Sequence, residues 1–507
     1  MISPCLFERN PDVRLPILLS LSMLILPVTT FSSETPVPLA LNEAIRMAVE
    51  KNLDVRAELY NPAQFEADIN RNRSIYDPVL NIQTKYSDSY FASGHTQDLL
   101  IYPFVSQTFW TGGTATVGFS NEYTNLNNGA LTNNGFLTPS INWQSGLGVS
   151  IIQPLWKNVG REATEIAINV SRYSKFASLE HFNSILLTTV AQVRTEYFKL
   201  YSLREELDVK KVSLELARKI LSETQGRVKA GVLPAMEVFN AEFGVATREK
   251  ELIDAELAVS NQVDVLRLLL QMETNGGDLQ TVDLPPRERY DVIESEAIQK
   301  ALNRPDIREQ KRNLELNELL TRNFSQKTRP DLSLTASAQL TGLDSAYQRN
   351  MNQVLASDYP AWSIGLNFSY PLGNRAAEND YRRSRLITEQ ISLKLRNLEE
   401  TSANEVRAAI RGIEAGYKQI EVTDRGARFA EERLRSFIRK NEVGLATNKD
   451  VLDVENDLDV SKSNQITAVV GYANALTTYW QVTGELLERE GIRVVEGDAD
   501  KLYSATR

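Results

Sequence analysis

The stretch "EVGLATNKDVLDVENDL" (Glu442–Leu458) separates two long segments whose apolar residues follow a helical period. Its glycine, Gly444, suits the left-handed conformation that ends many helices. Thr447 is followed three residues later by Asp450, which is the spacing of a capping box at the start of the next helix. A second break occurs at Gly231, where a proline three residues later suits the first turn of a helix. The sequence therefore predicts two helical hairpins with tips near residues 231 and 444.

Apolar residues recur at every seventh position on both sides of these breaks. In the first half they are Leu186, Val193, Leu200, Leu207, Leu214, Leu221 and Val228, followed by Val238, Val245, Leu252, Val259 and Leu266. In the second half they are Val406, Ile413, Ile420, Ala427 and Leu434, followed by Val451, Leu458, Gln465 (the one polar lapse), Tyr472, Tyr479 and Leu486. A strict heptad predicts helices that supercoil around a partner. A single helix over residues 161–229 would be ~100 Å long at 1.5 Å per residue, so a rod is expected.

Two segments outside the rods alternate polar and apolar residues instead, over residues 76–155 and 331–371. Such alternation predicts β-strands. The first segment is nearly free of lysine and arginine, and four of the five tryptophans lie in or beside the two segments: Trp110, Trp143, Trp156 and Trp362. This composition favours strands that face lipid with an aromatic girdle. A soluble hairpin with one buried face is the alternative.

Composition argues against several classes of function. The net charge of the 507-residue chain is -10, which disfavours nucleic acid as a partner. Two histidines, His95 and His181, and one cysteine, Cys5, leave no zinc site of the usual spacing and no disulfide framework. Gly112-Gly113 and Gly276-Gly277 lack the Lys-Ser/Thr of a phosphate loop. We therefore expect no enzyme, no cofactor and no metal site.

The first 32 residues have the pattern of a secretory signal peptide. Arg9 and Arg14 precede the apolar run Leu15–Val28, and small residues follow it. The run has 14 residues and contains two prolines, so it is shorter than the ~20 residues of a spanning helix. We expect an exported chain whose mature part has no transmembrane helix.

The mature chain divides into two similar halves. Leu41–Glu58 corresponds to Glu294–Gln310, and the glycines of the two tips also correspond. The predicted parts are a first repeat over residues 39–272, a linker over 273–290, a second repeat over 291–489 and a tail over 490–507. Each repeat contains a short helix, a β segment and a long helix pair. Open strand edges are not tolerated in lipid, so several copies must share one barrel.

The order and spacing of these segments resemble the outer membrane factor family, the TolC-like outer membrane efflux proteins, over residues 39–487. The resemblance rests on five stretches: "LALNEAIRMAVEKNLDVRAE" (Leu39–Glu58), "QPLWKNVGRE" (Gln153–Glu162), "YPLGNRAAEND" (Tyr370–Asp380), "VKAGVLPAMEVFNAE" (Val228–Glu242) and "NEVGLATNKDVLDVENDL" (Asn441–Leu458). It implies a mainly α fold with β-strands, in which long antiparallel coiled coils form a periplasmic tunnel. It also implies a homotrimer in which each chain gives four strands to a 12-stranded outer-membrane barrel.

The implied function is that of an outer-membrane exit duct in a tripartite efflux or export system. Its partners would be an inner-membrane pump, a periplasmic adaptor protein and outer-membrane lipid. One alternative is the outer-membrane component of type I protein secretion, and another is a periplasmic coiled-coil structural or adhesin protein. Residues 97–125 form an additional predicted hairpin, which we expect to lie outside the core barrel.

The resemblance also assigns roles to residues at the tips. It places Glu237, Asp450 and Asp453 in an acidic ring at the tunnel entrance, although helix capping alone is an alternative for Glu237 and Asp450. The adaptor-docking candidates are Gly231, Val232, Leu233, Gly444, Leu445 and Ala446. A tyrosine and an arginine that latch the closed tip in this family are replaced here by Asn441 and Ala446.

Overall fold

The computed structural model describes residues 37–91, 94–127, 141–273, 278–493 and 497–506. The predicted signal peptide, residues 1–32, lies outside the described residues, as do Gly276 and Gly277. Within the described ranges, no helix is both long enough and apolar enough to cross a membrane.

Helices and strands follow one another in a similar order in the two halves. The first half contains β1 (Val37–Leu39), α1 (Leu41–Lys51), α2 (Leu53–Glu58), α3 (Tyr60–Arg73), a 3-10 turn (Ser74–Tyr76), β2 (Val79–Phe91), β3 (Gly94–Thr108), β4 (Thr114–Asn127), β5 (Ile141–Pro154), α4 (Arg161–Thr164), α5 (Ile166–Lys229) and α6 (Met236–Leu270). The second half contains β6 (Leu279–Thr281), α7 (Glu294–Ala301), α8 (Pro305–Lys327), β7 (Asp331–Asp344), α9 (Tyr347–Ala356), β8 (Tyr359–Ser369), α10 (Arg375–Glu442), α11 (Asn448–Thr483), α12 (Leu486–Arg489) and α13 (Gly497–Ala505).

The two longest helices, α5 and α10, have 64 and 68 residues and are each ~100 Å long. Each folds back on the following helix, so that α5 with α6 and α10 with α11 form two hairpins, and α11 also packs on α5. The heptad residues lie along these contacts; Leu186, Leu200, Val406 and Ile413 are among those buried. The rod expected to start at Arg161 is instead interrupted at Glu165, which lies between α4 and α5.

The strands outside the rods form a single antiparallel sheet in the order β2-β3-β4-β5-β7-β8. Pairing of β5 with β7 joins the two halves of the chain. Residues 97–125, which we expect to lie outside the core barrel, are thus part of one continuous sheet with the other four strands in the single chain. Strand β3 pairs with both β2 and β4, as Leu99 shows by lying opposite Tyr86 and Tyr123. Pairing on both sides satisfies the backbone groups of β3, which a detached hairpin would not achieve.

Side chains alternate between the two faces of this sheet. The strand registers place mostly apolar side chains on one face and mostly polar side chains on the other. One side, here called the apolar face, includes Leu80, Ile82, Tyr86, Leu99, Ile101, Val105, Val117, Phe119, Leu147, Val149, Ile151, Ala336, Ala338, Trp362, Ile364 and Leu366. The opposite side, the polar face, includes Asn81, Gln83, Lys85, Thr116, Ser120, Glu122, Gln144, Ser150, Thr335, Ser337, Gln339, Ser363 and Asn367. Most of the large side chains on the apolar face are exposed in the single chain, so the described residues leave most of this face uncovered.

A short helix that the sequence analysis does not predict, α9, connects β7 to β8 at the end of the sheet farthest from the long helices. It packs on β5 and β7, where Asn350 donates a hydrogen bond to Ser145 over 2.5 Å. The Tyr347 ring lies 5.0 Å from Trp143. This helix covers one end of the apolar face.

Halfway along the rods, a small parallel sheet ties the start of the first half to the start of the second. Strand β1 pairs with β6, and the Tyr197 hydroxyl of α5 donates to the Leu39 carbonyl over 2.8 Å. The same oxygen accepts from the backbone N–H groups of Val282 and Asp283, each at 3.0 Å. Burial raises the pKa of Tyr197 to about 12, so the hydroxyl keeps its proton and its donor role at neutral pH.

The heptad packing can be tested with two variants on one helix. Leu214 is 4% exposed and belongs to the repeat, whereas Val212 is 67% exposed. Leu214→Ala is expected to lower the free energy of unfolding by about 2–5 kcal/mol, because it leaves a cavity between packed helices. Val212→Ala is the control and should stay within ~0.5 kcal/mol of the parent. Circular dichroism during denaturant unfolding measures both, and equal effects would contradict the packing described here.

Candidate functional site

The two hairpin tips close with the same backbone geometry. At the first tip, the Val232 N–H donates to the Arg227 carbonyl over 2.9 Å and Gly231 has a φ of 74°. At the second, the Leu445 N–H donates to the Lys440 carbonyl over 2.8 Å and Gly444 has a φ of 80°. Hydrogen bonds of this span satisfy carbonyls at a helix end, and the left-handed conformation favours glycine. Both glycines are thus required by the turns themselves.

Asp450 caps helix α11. Its carboxylate accepts from the Thr447 N–H at 2.8 Å and from the Thr447 hydroxyl at 2.7 Å, and its own N–H donates to the Thr447 hydroxyl over 3.1 Å. The backbone bond from Thr447, helped by the hydroxyl, holds the pKa of Asp450 below its usual range. Asp450 is therefore an anion at neutral pH, and it has a structural role whether or not it also faces a channel.

Asp453 lies three residues after Asp450 on α11 and is exposed. Val451 and Val454, in contrast, are buried against the neighbouring helices. Glu237 lies in the first turn of α6 and is half-buried. Within the described part of the chain, the side chains of Asp453 and Glu237 make no hydrogen bond or ion pair, so capping by these side chains does not account for either. The structure thus places two acids together on one tip and the third on the other tip.

Polar contacts hold the two tips side by side. Arg227 at the end of α5 donates to the Asn441 carbonyl at the end of α10 over 3.2 Å. Asn448 at the start of α11 donates to the Thr224 hydroxyl over 2.7 Å. Asn441, where the resemblance leads one to expect a latch tyrosine, donates to the Ala446 carbonyl over 3.0 Å within its own turn. These residues therefore stabilise the second turn and its contact with the first.

Apolar side chains are presented at the outermost part of both tips. Val232 is 70% exposed and Leu445 is 79% exposed, while Leu233 and Ala446 are half-buried. Together with Gly231 and Gly444, these are the residues expected to dock an adaptor. Their exposure leaves an apolar surface available to a partner.

A buried cluster of charges that the sequence analysis misses joins α5, α6 and α11. The members of this three-helix charge network are Lys210, Ser213, Arg248, Glu251, Glu455 and Asp459. Glu455, which is 2% exposed, accepts from Arg248 and from the Ser213 hydroxyl. Lys210 donates to Glu251 over 3.0 Å and to Asp459 over 3.4 Å. The network therefore ties one hairpin to the other through α11.

Burial, reinforced by the neighbouring Asp459 carboxylate, raises the pKa of Glu455 despite the opposing hydrogen bond from Ser213 and the charge of Arg248. A carboxyl with a raised pKa in the folded state contributes stability below its unfolded pKa. That contribution is lost as pH rises through the raised value. The spacing of Glu455 and Asp459, four residues apart on the buried side of α11, is the signal that would have revealed the network. Partners more than 200 residues away hide it in the sequence.

This gives a test by pH. The thermal midpoint of the parent, followed by helical circular dichroism, should fall more steeply than that of Glu455→Gln as pH rises from 4.5 toward neutrality, because only the parent must ionise a buried carboxyl. Glu249→Gln, which alters an exposed acid of α6 paired with Arg218 of α5, should keep the slope of the parent. Equal slopes in the parent and Glu455→Gln would show that the pKa of Glu455 is not raised in the folded protein.

Comparison with known proteins shows which of them share sequence patterns or the fold with this chain. Residues 44–270 match the family model described as outer membrane efflux protein. No curated protein matches the sequence. The fold is similar to that of the CmeC outer membrane channel of Campylobacter jejuni, with a TM-score of 0.64 and 16% identity over 92% of this chain and 89% of that one. VceC of Vibrio cholerae has a TM-score of 0.64 and 14% identity over 88% of this chain and 96% of that one. The open state of MtrE of Neisseria gonorrhoeae has a TM-score of 0.62 and 16% identity over 88% of this chain and 89% of that one.

These matches agree in sequence over the first repeat and in fold over nearly the whole described chain. The resemblance to the TolC-like outer membrane efflux proteins that the sequence predicts is therefore confirmed.

Proposed function

We propose that three copies of this chain form an exit duct in the outer membrane, with the long helices extending into the periplasm. The observation that carries the proposal is the position of the six-stranded sheet at one end of two ~100 Å hairpins. Its apolar face is exposed and its two edge strands have no partner among the described residues. Lipid would cover the face, and neighbouring copies would pair with the edges.

The duct would be passive and carry out no reaction. A pump in the inner membrane would supply the energy, and a periplasmic adaptor would join the pump to the hairpin tips. Support comes from the family model over residues 44–270 and from the fold shared with outer membrane channels. On this view, residues 39–272 and 291–489 are the two repeats of each protomer, and residues 1–32 are removed on export.

Two alternatives are distinguished by measurement. A type I protein secretion component would form the same trimer and pore, and its co-purified inner-membrane partner would identify it. A structural or adhesin protein would form no pore. Heat-stable trimers with single-channel currents in planar bilayers support the duct, whereas trimers that never conduct favour the structural role.

At the tips, we propose that the acids form an entrance ring. Glu237, Asp450 and Asp453 in each of three chains would bring nine carboxylates together, provided that they face the central axis. Two unit charges ~6 Å apart in water repel by ~0.7 kcal/mol, and several such pairs add up. Such a ring attracts cations, and multivalent cations would bind it most strongly.

The ring can be tested by removing two of its charges per chain. Asp450→Ala combined with Asp453→Ala should reduce cation selectivity and weaken block by trivalent cations in reconstituted channels. Asp208→Ala with Asp254→Ala removes the same charge from exposed positions along the rods and serves as the control. Currents that the tip variant leaves unchanged would contradict the ring.

Adaptor docking has a separate test. Val232→Asp with Leu445→Asp places charges on the exposed apolar tips and should abolish co-purification with the adaptor, because a desolvated charge opposes an apolar contact. The trimer should persist, since neither side chain is buried. Val212→Asp, an equally exposed change on the shaft of α5, should leave co-purification intact. Retained binding by the tip variant would exclude these residues as the docking surface.

A further inference from the structure

The resemblance implies four strands from each chain, but this chain supplies six. Strands β3 and β4, of 15 and 14 residues, are as long as β2, β5 and β7. They lie between β2 and β5 and pair with them along most of their lengths.

The faces of the two additional strands continue those of the other four. On the apolar face, Leu99 and Val105 of β3 lie opposite Tyr86 and Leu80 of β2. Val117 of β4 lies opposite Val149 of β5. All of these side chains are exposed in the single chain.

The polar face is also continuous through β4. Thr116 and Glu122 of β4 lie opposite Ser150 and Gln144 of β5. On β3, the Tyr102 and Phe104 rings stack with their centroids 4.8 Å apart. Both side chains lie over Gly118, where an added Cβ would be 2.7 Å from the Phe104 Cβ and from the Tyr102 ring. Strand β4 thus has one lipid-compatible side and one polar side in register with the rest of the sheet, and β3 has a lipid-compatible side and an aromatic pair on the other.

The turn between β3 and β4 is fixed at the junction with the helices. The Thr111 hydroxyl donates to the Gln153 side chain over 2.7 Å, and the Gly160 N–H donates to the Thr111 carbonyl over 3.0 Å. Gly112 has a φ of 86°, and a Cβ there would lie 2.6 Å from the Asn158 carbonyl oxygen. A turn packed this closely holds the hairpin in the plane of the sheet.

The two outer strands of the sheet, β2 and β8, determine whether neighbouring copies can pair edge to edge. Neighbouring strands alternate in direction through all six positions, so β2 and β8 run in opposite directions. The β2 edge of one copy can therefore pair antiparallel with the β8 edge of the next. Six strands are fewer than the ~8 of the smallest transmembrane barrels, so one chain is not expected to close a membrane barrel alone.

We propose that the wall of the duct has eighteen strands, six from each of three copies, rather than the twelve that the resemblance implies. This proposal rests on the proposed function and specifies its pore. With strands ~4.8 Å apart and tilted ~40°, eighteen strands enclose a barrel ~36 Å across, compared with ~24 Å for twelve. Barrels of this strand number leave an open aqueous channel, so the β portion would be wide enough to pass bulkier cargo.

Single cysteines test the wall directly. Because Cys5, the one cysteine of the sequence, lies in the segment proposed to be removed on export, each introduced cysteine is the one thiol to be labelled. Thr116→Cys and Val117→Cys probe the two faces of β4, and Ser150→Cys and Val149→Cys probe the matching faces of β5. The probe is a charged, membrane-impermeant thiosulfonate reagent applied to the trimer in lipid nanodiscs, with copies counted by native mass spectrometry. Thr116→Cys should react at least ~10-fold faster than Val117→Cys, because only the polar face meets water. Ser150→Cys should react faster than Val149→Cys by a similar factor for the same reason.

The outcomes separate the two proposals. Here, contrast means that the cysteine on the polar face of a strand is labelled faster than the one on the apolar face. Contrast at β5 without contrast at β4 would place the additional hairpin outside the wall, and it would overturn the eighteen-strand barrel while leaving the duct intact. Contrast at both strands in an assembly of two copies would give twelve strands and also overturn it. Loss of contrast at both strands would show that the sheet does not line a membrane pore, and both proposals would fail.

Discussion

The unpaired backbone groups along β2 and β8 are the constraint on which the proposed assembly depends. Neither edge has a partner among the described residues, and an open edge in lipid leaves each N–H and C=O group without a hydrogen bond. Since the edges run in opposite directions, another copy of the chain can satisfy both. The apolar face adds the second requirement, because it is exposed in the single chain and continuous across six strands.

The rods follow a different physical rule, that of the heptad repeat. Heptad residues pair each long helix with its neighbour, and the tips close through glycines in the left-handed conformation. A buried charge network then connects the hairpins through Arg248 and Glu455. A buried ion pair contributes less to stability than an apolar contact of the same size, but breaking it is costly. The network therefore fixes how the second hairpin lies against the first.

Much of this architecture is readable from the sequence because it is periodic. The seven-residue repeat locates the buried stripe, and alternation locates the strands around Val149 and Ile364. Three features are not periodic and are missed. The interruption at Glu165 depends on one residue's backbone. The pairing of β3 with β2 as well as β4 depends on backbone hydrogen bonds that alternation does not specify. The Arg248–Glu455 pair joins residues that each appear solvated. At the tips, Asp450 caps α11, and the proposed entrance-ring role falls on the same residue. Spacing alone could not separate the two roles.

The most direct measurement is a cryo-electron microscopy map of the full assembly in lipid. Three copies should surround one axis, with a closed ring of strands in the bilayer and a helical tube on one side that ends at the Gly231 and Gly444 turns. A map in which the sheet is open, or in which the apolar face packs against protein rather than lipid, would contradict the proposed duct.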